Sequence, residues 1–164
     1  MNIRKIQASD LAGFHALFAE VSGEGLFSVS TQAPPIQAIE RALVAVEQHD
    51  WPVYVAVQNG QIVGSAEAFP DSFCRPQGDP QLGLLGMQVK REFRRHGHGA
   101  ALLEAVMRHA RRIGFTGIEL TVLKSNHAAL ALYDKVGFTW LQDLDTCVLP
   151  GGVQDQLQRM RLAF

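Results

Sequence analysis

Apolar residues recur along this chain with two alternating periods, and the switches between those periods divide it into strands and helices. Ile3 and Ile6 alternate with polar neighbours over 2–7, which predicts a first edge strand. Behind an N-cap at Ser9 or Asp10, residues Leu11, Phe14, Leu17, Phe18 and Val21 fall on one helical stripe. Gly23, Gly25, Pro34 and Pro35 make 22–35 a long loop, and a second helix runs from near Pro35 through Ile39, Leu43 and Val46 to about Gln48. Residues 52–58 read as a buried strand, Asn59-Gly60 as a tight hairpin turn, and 61–69 as the antiparallel return. The breakers in 70–80 predict a mobile connection without regular structure.

Residues 82–89 are apolar almost throughout, the mark of a central strand. Leu102, Leu103, Val106, Met107, Ala110 and Ile113 then form the buried stripe of a long helix ending at Gly114. A crossover of that length brings the next strand, 118–123, parallel to 82–89. A short helix from 126 ends at Gly137. Strands over 138–148 and 153–162 close the chain as a hairpin around Pro150-Gly151-Gly152, and the last of them, Gln154 to Leu162, is the expected route to a homodimer.

Composition narrows this picture little. With 164 residues, 47% hydrophobic and 19% charged, the chain fits one globular domain over 1–164 and is not a disordered segment. A net charge of −1 gives no general attraction to nucleic acid or to an anionic membrane. The sequence opens without a signal peptide and holds no membrane-length apolar run. Cys74 and Cys147 stand far apart without a metal or redox spacing, so free thiols in a cytoplasmic protein are expected.

Charge matters locally. Lys90, Arg91, Arg94 and Arg95 cluster beside Gly97 and Gly99, where a strand crosses a turn into a helix. Such a junction presents free backbone N–H groups and the positive end of a helix dipole, and so reads as an anion cradle. The nucleoside triphosphate loop is excluded because no G-x-x-x-x-G-K-[ST] occurs. The dinucleotide fingerprint is excluded because Leu102 stands where a third glycine is required. His96 and His98 lie two apart, but without a third ligand they do not make a metal site, and no metal is expected.

Arg94-x-x-Gly97-x-Gly99 resembles the R/Q-x-x-G-x-G/A signature of the GNAT N-acetyltransferase family. Asn126-x-x-Ala129-x-x-x-Tyr133-x-x-x-Gly137-Phe138 resembles the motif that follows it there. The resemblance covers roughly residues 80–140 and implies a mixed α/β acyltransferase fold. In it, a mostly antiparallel sheet of about seven strands is flanked by about four helices and splays in a V between the fourth and fifth strands. It further implies transfer of an acetyl group from acetyl-CoA to a primary amine by direct attack in a ternary complex. The amine belongs to a small molecule or a peptide N-terminus. The alternative is an acyl-CoA-binding sensor that keeps the fold without catalysis.

By the same resemblance, backbone amides of Arg95, His96, Gly97, His98, Gly99 and Ala100 hold the pyrophosphate. The main chain of Met87 and Val89 pairs with the pantetheine arm, and Arg94 and Arg95 add charge. Asn126 either contacts the cofactor or caps its helix, and Tyr133 is the general acid. The general base is not given, because 81–89 contains no carboxylate where many members of the family carry a glutamate. Glu67 on the preceding strand is the first choice. Glu24, Asp71, or water held by carbonyls near Leu85 and Gly86 are the others. Glu24, Phe27 and Phe73 suggest an acceptor pocket lined by an acid and aromatics.

Overall fold

The computed structural model describes residues 1–28 and 30–164. Seven strands form one mixed sheet: β1 (Asn2–Lys5), β2 (Val53–Gln58), β3 (Gln61–Pro70), β4 (Leu82–Val89), β5 (Gly117–Leu123), β6 (Thr139–Val148) and β7 (Gln154–Ala163). Their spatial order is β1-β2-β3-β4-β5-β7-β6, and every pairing is antiparallel except β4 with β5. The helices are α1 (Leu11–Gly23), α2 (Ile36–His49), the single turn α3 (Asp71–Cys74), α4 (His98–Arg112) and α5 (His127–Val136). None of the described helices is long and apolar enough to cross a membrane.

The period-2 pattern of the strands separates two cores. Ala56, Val63, Ala66, Ala68, Ile118, Leu120 and Val122 face α4 and α5, where they meet the stripe of Leu102, Leu103 and Val106. Those three are wholly buried, and each contributes about 1.5–3 kcal/mol of transfer free energy. Val53, Val55 and Ile62 face the other way, against Phe14 and Leu17 of α1 and Ile39, Leu43 and Val46 of α2.

The β4–β5 pairing positions everything that follows. It runs only from Leu82↔Gly117 to Leu85↔Leu120, although β4 continues to Val89 and β5 to Leu123. Beyond Leu85 the two strands part, and the sheet opens in a V between its fourth and fifth strands.

Three local expectations change. Residues 70–80 are not without regular structure: they contain α3, fixed by a carboxylate the local sequence does not advertise. Asp71 is buried, takes the Arg75 Nε–H at 2.6 Å and the Asp79 N–H at 3.1 Å, and so folds the segment back on itself. Asp10 does not cap α1 with its side chain. It accepts two bonds from Arg4, at 2.7 and 2.8 Å, and one from the Gln7 N–H, contacts that hold its carboxyl below the usual range. The final strand β7 is paired on both sides over residues 157–161, by β5 and by β6, so that stretch offers no free edge for a second subunit.

Candidate active site

The turn between β4 and α4 is shaped by backbone conformation. Gly97, the residue before α4, has φ +85°, a value glycine adopts without a Cβ penalty, and Arg95 has φ +65°. The Ala101 N–H is the first of the new helix to find its carbonyl, on Gly97 at 3.1 Å. Among the described residues, the N–H groups of Arg95, His96, Gly97, His98, Gly99 and Ala100 have no protein acceptor. Six successive unpaired donors at the start of a fifteen-residue helix make a strong anion site.

One wall of the V is main chain. The Lys90 N–H returns to the Val63 carbonyl on β3 at 2.9 Å, so strand alternation turns the backbone groups of Met87 and Val89 toward the opening. The Val89 carbonyl there is taken by the Arg94 Nε–H at 2.8 Å. The rest of the Arg94 guanidinium makes two 2.8 Å bonds to the Glu24 carboxylate. Arg94 and Glu24, expected separately as a phosphate ligand and as an acid facing substrate, are therefore tied to each other. Their pair braces the end of α1 against the strand-to-loop corner. Arg95 makes no ion pair among the described residues and is the cation left beside the N–H run.

His98 turns inward, its Nε2 at 3.2 Å from the Gln58 Oε1, and is buried beside the Phe93 ring. Asn126 accepts the Ala129 N–H at 3.3 Å, the N-capping geometry, and this leaves its Nδ2 group available.

Glu67 lies across from Gly86 in the β3–β4 register. Ala66 and Ala68 pack toward α4, so Glu67 projects on the opposite face. Its carboxylate covers Gly86: a Cβ built there would stand 2.4 Å from the Glu67 Oε1. The strand without a carboxylate thus receives one from its neighbour, through the space a missing side chain leaves. Glu67 is buried, and among the described residues its Oε2 has no hydrogen-bond partner and its carboxylate makes no ion pair. Burial raises its pKa from an ordinary 4.5 to about 7, against a small opposing effect of the Ser65 hydroxyl.

Tyr133, on α5, is also buried and packs at 5.6 Å against Phe138. Burial first, and the nearby Glu67 charge second, push its phenol up to about 12. One group poised near neutrality and one firmly protonated suit the roles of base and acid.

Phe27 is half exposed on its loop, and Phe73 stacks on Phe69 at 5.5 Å and tilts against Trp51 at 4.8 Å. Neither lines the cavity at the base of the V, which has a volume of about 240 Å³ and is lined by Arg75, Leu84, Glu119, Thr121 and Arg159 among others. Sequence reasoning passed over Glu119 and Arg159. Their only signal is the alternation of polar Glu119 and Thr121, and of Arg159 and Arg161, with apolar neighbours at Leu120 and Met160, which identifies a strand face but not what it borders.

The family model described as Acetyltransferase (GNAT) family matches residues 16–138. A curated relative, N-acetyltransferase family 8 member 3 from Mus musculus, is 36% identical over 98 residues, covering 57% of this chain and 41% of its own length. The chain thus spans less than half of that relative. A solved ribosomal-protein-alanine N-acetyltransferase from Brucella melitensis superimposes over 100% of both chains, with TM-score 0.86 and 24% identity. A phosphinothricin acetyltransferase from Sinorhizobium meliloti, solved in complex with acetyl-CoA, matches 99% of this chain and 88% of its own, with TM-score 0.83 and 18% identity.

Proposed function

Because the chain belongs to the GNAT acetyltransferase family, we propose that it transfers an acetyl group from acetyl-CoA to a primary amine, giving an amide and free CoA. The observation that carries this reading is buried Glu67, whose carboxylate covers Gly86 on the strand that borders the V. The remaining features fit the donor. The unpaired N–H groups of residues 95–100 and the Arg95 charge suit a pyrophosphate. The free backbone edge at Met87 and Val89 suits an extended amide-bearing arm, held as a neighbouring strand is held.

The donor, when bound, supplies an activated thioester carbonyl, and the residues of the chain handle the protons. Glu67, ionised above about pH 7, takes one from the incoming ammonium and leaves a neutral amine to attack. The C–N bond forms as the C–S bond breaks, the Tyr133 hydroxyl gives its proton to the departing sulfur, and the second proton shed by the acylated nitrogen returns to the phenolate through solvent. Holding the two reactants in one gap supplies the orientation. Asn126, whose cap uses only its Oδ1, is the residue this reading assigns to the arm, through its side-chain amide.

Titration calorimetry with acetyl-CoA, followed by thiol release with a panel of amines, tests this. Binding is expected, and Gly97→Trp, which forces a bulky side chain onto a left-handed residue of the cradle, should weaken it at least ten-fold. No binding, or binding indifferent to that substitution, would sink the reading.

A further inference from the structure

The cavity at the base of the V has a chemical bias. Glu119, Thr121, Arg159 and Arg161 share one sheet face, since Glu119 pairs with Arg161 and Thr121 with Arg159 across β5 and β7. Ile118, Leu120 and Val122 pack toward α4, so this is the face on which Glu67 also lies. Along it, Glu67 and Gly86 stand on one side of the opening, and Thr121 and Arg159 on the other.

The charges around the cavity do not cancel. Asp71 engages Arg75 through Nε, and buried Glu119 sits 4.0 Å from the Arg159 Nε and 3.6 Å from an Arg161 Nη. Of the residues that line the cavity itself, two are cations, Arg75 and Arg159, and one is a carboxylate, Glu119. The terminal Nη groups of Arg75 and Arg159 donate to no protein acceptor among the described residues. A guanidinium carries five donors in a planar fork that matches a carboxylate. The free Nη donors of these two guanidiniums exceed what Glu119 and Asp71 take up, and together they suit an anionic oxygen pair. Leu84, Leu85 and Leu120 supply the apolar remainder of the wall.

We propose that the acceptor is an amino acid, a primary amine that carries its own carboxylate, with the carboxylate held by Arg159 and Arg75 and the amine presented to Glu67. The assignment rests on the acetyl-transfer reading for where the amine goes, and on the cavity for what else the molecule carries. A peptide N-terminus lacks a carboxylate beside its amine and fits this cavity less well.

The test compares the proteinogenic L-amino acids with their carboxamides, which keep the amine and remove the negative charge. Calorimetric binding in the presence of CoA and thiol release in the presence of acetyl-CoA are measured for each pair. The best acid should exceed its amide by ten-fold or more in affinity and in kcat/KM. Arg159→Gln should reduce that ratio at least ten-fold, mainly through KM, while Arg159→Lys restores part of it. Arg159 is the chosen position because Glu119 keeps Arg161 as a partner when it changes, and Asp71 keeps Arg75. Equal binding of acids and amides, no binding of any acid, or a ratio unaltered in Arg159→Gln overturns the assignment. Acetyl-CoA binding and turnover of the amides, scored separately, decide the underlying reading on their own.

Discussion

A buried carboxylate with neither a cation nor a full set of donors is costly to keep ionised, and Glu67 is in that position. Two opposite consequences follow from its pKa of about 7. In the proposed mechanism the ionised form is the competent one, so kcat/KM is expected to rise with pH through about 7. Glu67→Gln should remove that acidic limb and lower kcat by about 10²–10⁴-fold. For stability the sign reverses. The folded state holds its proton more tightly than the unfolded state, so stability falls as pH rises from about 4.5 through about 7. That shift corresponds to about 3 kcal/mol of strain above neutrality. Denaturant titrations should find Glu67→Gln more stable than the parent at pH 8, with the gain gone at pH 4. Little of this was legible from sequence. Residues 66–68 show an alternation, but an alternation does not say which face borders a cleft, and the register that sets Glu67 over Gly86 joins positions nineteen apart in the numbering.

Among elements, the periodicities placed the strands and the four long helices because each buries a continuous stripe, as Leu102, Leu103 and Val106 do on α4. Where they failed, a tertiary polar contact decides the local structure. Pro76, Gly78 and Pro80 read as pure breakers, yet α3 forms because Asp71 gathers Arg75 and the Asp79 N–H. The Arg94–Glu24 pair is likewise invisible in sequence, its members seventy residues apart. The β3–β4 pair yields a sharp prediction. In Gly86→Ala the new methyl meets a flexible carboxylate end rather than backbone, so the fold should survive while Glu67 is displaced. Stopped-flow and calorimetric measurements should show kcat down about 10²-fold with acetyl-CoA affinity within two-fold of the parent, a split that loss of folding would not produce.

At the level of the whole molecule, the sheet's strand count and the V were accessible only through two short motifs, Arg94 to Gly99 and Asn126 to Phe138. The strand order was not: nothing in the composition of β7 says that it lies inside β6. The parting of β4 from β5 leaves Met87 and Val89 with backbone amides that have no partner strand, and the amides of 95–100 with none either. Amide hydrogen exchange should find these positions fast in the free protein and slowed many-fold by saturating CoA, with the Ala56–Ala66 side of the sheet slow in both states.

That opening also makes the fold unfinished by itself. A molecule threaded through it completes a hydrogen-bond ladder that the chain leaves half-built, so its binding free energy is added to folding by mass action. At a hundred times its dissociation constant, such a ligand contributes about 2.7 kcal/mol, a large share of a typical domain's reserve against unfolding. The lifetime of the protein in a cell would then follow the supply of its own donor. Starved of it, the chain would melt sooner and be cleared faster; supplied with it, the same sequence would persist.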